Sequence, residues 1–120
     1  MRDEVRVLVC GGRTYRNQGL VNETLNKMQK DFGIDLIIQG GATGADHLSK
    51  TWAKENGIPC AEMEANWHYY GPAAGPRRNL WMINLLRPNL VVAFEGGKGT
   101  ADMIMKAHKA GVAVMQIEDR

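Results

Sequence analysis

One hundred and twenty residues make one domain with a core of its own and leave little for a second. Hydrophobic residues are 44% of the chain and charged residues 23%, which places it among globular proteins and excludes wholesale disorder. A net charge of +2 speaks against nucleic acid as a partner, because that role wants a strongly basic face. A small anionic ligand needs only a few donors and stays open.

Taken in chain order, short apolar runs alternate with longer periodic segments. Val5, Val7, Leu8 and Val9 predict a first strand, closed by Gly11 and Gly12. Leu20, Val21, Leu25, Met28 and Phe32 recur at helical spacing, and Gly33 suits the helix end. Leu36, Ile37 and Ile38 predict a second strand, stopped by Gly40 and Gly41. Ala45, Leu48 and Trp52 mark the next helix, with Gly57 near its close. Residues 59–63 predict a weaker third strand, and residues 67–76, rich in Gly, Pro and aromatics, read as a loop. A third helix is predicted over residues 76–86, with Pro76 in its first turn. Arg87 and Pro88 break it. Residues 90–94 form a continuous apolar strand of the kind buried on both faces. A helix over residues 100–110 places Ala101, Ile104, Met105 and His108 on its apolar side, and residues 112–117 are a fifth strand. Four strand–helix alternations predict a Rossmann-like three-layer α/β/α sandwich around a mainly parallel five-stranded sheet, over a single domain.

No apolar run approaches the roughly 20 residues that span a membrane. The start Met1-Arg2-Asp3-Glu4 lacks a leader's basic-then-apolar pattern. Cys10 and Cys60 form neither a disulfide framework nor a zinc spacing. The expectation is a cytoplasmic protein with reduced thiols. His47, His68 and His108 share no metal-ligand spacing, and nothing calls for a metal or a cofactor. His108 reads as a packed or capping residue. His68 lies beside Trp67, Tyr69 and Tyr70, aromatics that suit either loop packing or stacking on a base.

The informative regularity is positional. Gly11-Gly12-Arg13, Gly40-Gly41-Ala42-Thr43-Gly44 and Gly96-Gly97-Lys98-Gly99-Thr100 each follow a strand and lead towards a helix. In a parallel sheet such turns share the carboxyl edge, where open α/β folds bind ligands. Glycine admits close approach of backbone to ligand, and helix starts offer free N–H groups that suit phosphate. None of the three is a Walker A motif or a complete dinucleotide fingerprint. Thr43 and Asp46 fit a capping box, which competes with ribose or phosphate contact as their explanation. Asp102 follows Thr100 in the first turn of its helix, where a carboxylate is favoured whatever the function. Arg78, beside Asn79 at a helix start, is electrostatically misplaced unless it meets phosphate or a carboxylate.

Four motifs carry a resemblance. They are Gly11-Gly12-Arg13-x-Tyr15, Gly40-Gly41-Ala42-x-Gly44-Ala45-Asp46, Ala74-Gly75-Pro76-x-Arg78-Asn79-x-x-Met82, and Gly96-Gly97-x-Gly99-Thr100-Ala101-Asp102-Met103 following Val92-Ala93-Phe94. In this order the chain resembles the YspA/YpsA-related branch of the SLOG superfamily, over nearly its whole length. The resemblance implies a Rossmann-like sheet that binds a nucleotide or nucleotide-derived ligand. The superfamily includes LOG phosphoribohydrolases, which cleave the N-glycosidic bond of nucleoside monophosphates, DprA proteins that process DNA, and nucleotide-signal sensors. LOG enzymes carry a catalytic Glu three residues after the Thr, and the matching position here is Met103. Their catalytic Arg matches Arg78. Glu95 stands where the family commonly has Pro.

Two functions follow. One is a binding module, acting as sensor, carrier or sequestering protein, with Gly11, Gly12, Arg13, Tyr15, Gly41, Ala42, Thr43, Gly44, Asp46, Arg78, Asn79, Gly96, Gly97, Lys98, Gly99 and Thr100 as ligand contacts. The other is an enzyme acting on the N-glycosidic bond of a nucleotide, with Asp102, Glu95 and Arg78 as its catalytic groups. A DNA-associated accessory role ranks third. Trp81, Leu85 and Leu86 offer apolar surface for a homodimer, or for packing on the sheet.

Overall fold

The computed structural model describes residues 3–119. Met1 and Arg2, part of the start tested for a leader, lie outside them, as does Arg120. Five strands, β1 (Arg6–Cys10), β2 (Leu36–Gln39), β3 (Cys60–Glu62), β4 (Leu90–Ala93) and β5 (Ala113–Gln116), form one sheet in the order β3-β2-β1-β4-β5. All neighbouring pairs are parallel, with Leu8 opposite Ile38 on one side and Val91 on the other. The Rossmann-like α/β reading holds.

Alternation along β1 builds both cores. Val7 and Val9 join Val21, Leu25, Met28 and Trp52, supplied by α1 (Gln18–Asp31) and α2 (Ala45–Glu55). Leu8 and Cys10 join Met82, Ile83, Met103 and Ala107 on the opposite face. Successive side chains of a strand point to opposite faces, so a central strand covered on both sides must be apolar throughout. β4 and β1 from Val7 onward meet this requirement, and the outer strands β3 and β5 are correspondingly more exposed.

Two expectations fail. Residues 67–76 are not a loop. They form a short helix α3 (Trp67–Tyr70), a 3₁₀ turn (Gly71–Ala73) and the start of α4 (Ala74–Trp81), which runs on into a π turn (Met82–Leu86). The Asn66 side chain caps α3 by accepting from the Tyr69 N–H at 3.0 Å. Pro72 and Pro76 stand within the first turns of their helices, where a missing N–H leaves no hydrogen bond unmade. The prolines therefore start coils here instead of breaking them. The second failure is the inward face of α5 (Lys98–Lys109). Thr100, Met103 and Ala107 are buried and Ile104 is half-buried, while Ala101, Met105 and His108 are exposed. Each helical residue turns by about 100°, and the stripe lies one position away from the expected one. His108 is neither packed nor a cap.

Candidate functional site

The strand order reverses direction between β1 and β4. Chain leaving β1 turns to one side of the sheet and chain leaving β4 to the other, so a crevice opens between their carboxyl ends. The loops walling it are joined through their backbones. Gly12 N–H donates to Glu95 O at 2.8 Å, which ties the first loop to the one after β4. Gly12 O accepts from Ala45 N–H at 3.2 Å, and Thr43 Oγ1 donates to Arg13 O at 2.9 Å, which ties it to the loop after β2. Two glycines make this possible. Gly44 has φ +76°, and a Cβ there would overlap the Gly12 carbonyl and the Arg13 backbone. At Gly96 a Cβ would fall 2.7 Å from Gly12 N and onto the Thr100 hydroxyl.

The result is a cleft of about 1080 Å³, ample for a nucleotide-sized ligand. Of the residues singled out from sequence, Gly11, Gly12, Arg13, Tyr15, Ala42, Asp46, Arg78, Asn79, Glu95, Gly96, Gly97, Lys98, Gly99, Thr100 and Asp102 line it. Gly41, Thr43 and Gly44 do not. Gly41 turns towards Glu62 and Glu64, and Thr43 and Gly44 back the first loop from behind. Trp67, one of the aromatics that suited either loop packing or base stacking, lines the cleft as well, and so do Gly75, Met82, Asn17 and Asp119, to which sequence reasoning assigned no site role. The aromatic run at 67–70 was a usable signal for Trp67. Asp119 had none, because its place depends on how the chain leaves β5.

At the floor, Asp46 is 7% exposed. It is no capping-box residue: α2 is capped by Gly44 without a side-chain bond, and Asp46 Oδ2 accepts from the N–H groups of Gly40 and Ala42, both at 3.2 Å. Burial raises its pKa against these bonds and the nearby Arg78. Arg78 is the fifth residue of α4, not a helix-start residue, so the expected misplacement in the helix dipole does not arise. It is a partly buried guanidinium instead. Its Nη1 donates to Gly40 O at 2.6 Å and its Nε to Asn79 Oδ1 at 3.0 Å. Burial pushes its pKa down, Asp46 raises it, and Arg13 pushes it down further. Nη2 makes no hydrogen bond to a described residue.

The first turn of α5 forms another wall. Gly97 caps it without a side chain, and Ala101 is the first residue whose N–H returns to the chain, to Gly97 O at 3.0 Å. The N–H groups of Lys98, Gly99 and Thr100 precede that bond. Asp102 is committed elsewhere: Oδ2 accepts from Asn79 Nδ2 at 3.0 Å, and Oδ1 pairs with Lys106. Met103, where LOG enzymes carry Glu, is fully buried in the core under α5. Glu95 is exposed at the cleft and makes no ion pair or hydrogen bond through its carboxylate with a described residue. The Tyr15 hydroxyl donates to Asp119 Oδ1 at 2.9 Å, and its ring packs 5.3 Å from that of Phe94. Burial, followed by Asp119, raises the hydroxyl's pKa, so it stays a donor. His68 is exposed and lies outside the cleft. Among the described residues no cluster could hold a metal ion, and no helix is long and apolar enough to cross a membrane.

Comparison with known proteins bears on the family and the fold. Residues 5–70 match the model of the YspA, cpYpsA-related SLOG family. The Gene 61 protein of Mycobacterium phage D29 is 29% identical over 96% of this chain and 98% of its own length. Among solved structures, the Moco carrier protein of Chlamydomonas reinhardtii superposes with a TM-score of 0.65 at 20% identity, over 98% of this chain and 78% of that one. MurG of Acinetobacter baumannii superposes at 0.61 with 16% identity, over 97% of this chain and 35% of its own. At these identities the two structures are likenesses of fold.

Proposed function

The chain belongs to the YspA, cpYpsA-related SLOG family, and we propose that it binds a nucleotide or nucleotide-derived small molecule in the cleft, as a sensor, carrier or sequestering module. The observation that carries this reading is the state of Arg78. Burial disfavours its charge, Asp46 only partly offsets this and Arg13 repels it, while its Nη2 donors stay unmade among the described residues beside a cleft with a bare helix start in its wall. A phosphate set there relieves both. It accepts the free guanidinium N–H groups in a charge-assisted pair, and it takes the orphan N–H groups of Lys98, Gly99 and Thr100. The fold-level likeness to a protein described as a Moco carrier supports a small-molecule-binding role of this kind.

Turnover is the second reading, and one observation favours it. Glu95 presents an uncommitted carboxylate next to this cradle, positioned to assist attack on an N-glycosidic bond. Of the two carboxylates expected for that role, Asp102 has both oxygens engaged, which favours Glu95. The missing carboxylate at Met103 keeps binding in first place.

The test is mass spectrometry of protein incubated with a pool of nucleotides, NAD-related compounds and cyclic nucleotides, separating bound from free molecules. An intact compound enriched on the protein, with no product, is the expected result. Free base and ribose phosphate, absent with Glu95→Gln, would replace binding by hydrolysis.

A further inference from the structure

Trp67 is a large apolar side chain left 45% exposed at the wall of a concave site. It belongs to neither core cluster. An aromatic ring gains much from burial, so its position at a cleft calls for an occupant. The ring is held in place. Its benzo edge rests where Gly75 lacks a Cβ, with Cη2 3.1 Å and Cζ2 3.6 Å from that missing atom. One face of the ring carries the Arg13 guanidinium, with Cζ 4.9 Å from the ring centroid. The indole N–H makes no hydrogen bond to a described residue. Arg13 is exposed, makes no ion pair among the described residues, and comes from the first loop at the strand-order reversal. Its charge is felt by both Asp46 and Arg78. One side chain thus stands between the ring and the anion-seeking end of the cleft.

We infer that Trp67 is the stacking platform for a planar heteroaromatic base, and that Arg13 holds the base's place on the ring in the free protein. This rests on the nucleotide reading above and narrows it: the ligand carries a base and is not a sugar phosphate alone. On binding, the guanidinium leaves the ring for the phosphate and the base takes the vacated face. A cation–π contact at an exposed site is weak. Base stacking together with a charge-assisted Arg–phosphate pair is stronger, so the exchange is favourable.

The experiment titrates wild type, Trp67→Leu and Trp67→Phe with the four common ribonucleoside 5′-monophosphates and with ribose 5-phosphate. For the mononucleotide bound best, Trp67→Leu is expected to weaken affinity by roughly ten- to a hundredfold. Trp67→Phe recovers most of it, and ribose 5-phosphate binds all three proteins alike. The quenching of tryptophan fluorescence by that mononucleotide disappears in Trp67→Phe. If Trp67→Leu binds the mononucleotide as wild type does, stacking is wrong and the phosphate site stands. If it weakens ribose 5-phosphate equally, Trp67 only shapes the cleft and stacking is again wrong. If wild type binds none of the probes, this inference fails, and the wider reading is decided by the nucleotide pool above.

Discussion

Asp46 faces two opposed influences. Burial disfavours its charge, while two backbone N–H groups and Arg78 favour it, and burial wins. The folded protein therefore holds this proton more tightly than the unfolded chain does. Stability attributable to Asp46 is present below its ordinary value of 3.8 and is lost as pH rises through the raised one. Asp46→Asn keeps an oxygen for both N–H groups and removes the titration. Denaturant unfolding across this range is expected to show the variant gaining on wild type as pH rises, then holding a constant difference. Wild type gaining instead would mean that Arg78 outweighs burial. Cys10, on the same floor, is pushed up to about 12 by burial and then by Asp46. At neutral pH it is a thiol and not a thiolate, hence unreactive. A maleimide at pH 7.5 is expected to label Cys60, which is exposed, and to reach Cys10 only after unfolding. Native labelling at both positions would contradict the buried floor. None of this was legible in the sequence. Asp46 fitted a capping box as well as a ligand contact, and Arg78 looked like a helix-start residue, because local spacing carries no record of what folds over a side chain.

The elements separate glycines that the fold requires from one that it does not. At Gly44 the backbone has positive φ and a Cβ would overlap the Gly12 carbonyl, so Gly44→Ala should cost about 2 kcal/mol or more. Gly99 is helical, and a Cβ there meets nothing within 4 Å. Alanine suits a helix better than glycine by up to about 1 kcal/mol, so the fold alone does not ask for glycine at this cleft-lining position. Gly99→Ala is expected to melt at or above the wild-type temperature while binding nucleotide more weakly. Undiminished binding would remove Gly99 from the site. Strands were legible because β1 and β4 are buried on both faces and so read as continuous apolar runs. The coil from Trp67 to Gly75 was not, because Gly and Pro at first-turn positions look in sequence like loop punctuation, whereas the helix predicted over residues 76–86 is present. The buried stripe of α5 was missed because Met105 and Ile104 are both apolar, and periodicity alone could not choose between adjacent rotations.

For the molecule as a whole, the strand order sets where the cleft opens. A β3-β2-β1-β4-β5 sheet has its reversal between β1 and β4, and the glycine loops after those two strands are two of the three marked from sequence; of the third, after β2, Ala42 lines the cleft while Gly41, Thr43 and Gly44 do not. The loops' shared edge follows from strand–helix alternation. The cleft's closure does not: α3 and Asp119 complete the cleft from chain segments that carry no site motif. Four cationic side chains, Arg13, Arg16, Arg78 and Lys98, share the cleft with four carboxylates, Asp46, Glu95, Asp102 and Asp119. Such a balanced surface selects a ligand with separated charge and hydroxyl groups over a long polyanion. Salt should accordingly weaken binding far less steeply than the multi-phosphate contacts of nucleic acid would dictate. The central claim is that a phosphate-bearing nucleotide sits on the first turn of α5 beside Arg78. Its most direct test is the ¹H–¹⁵N spectrum of this 120-residue chain, recorded with and without the nucleotide identified by mass spectrometry. The account predicts the largest amide shifts at Lys98, Gly99 and Thr100, with the Arg78 side-chain N–H signals moving in parallel. Shifts centred on another surface, with these groups unmoved, would contradict it.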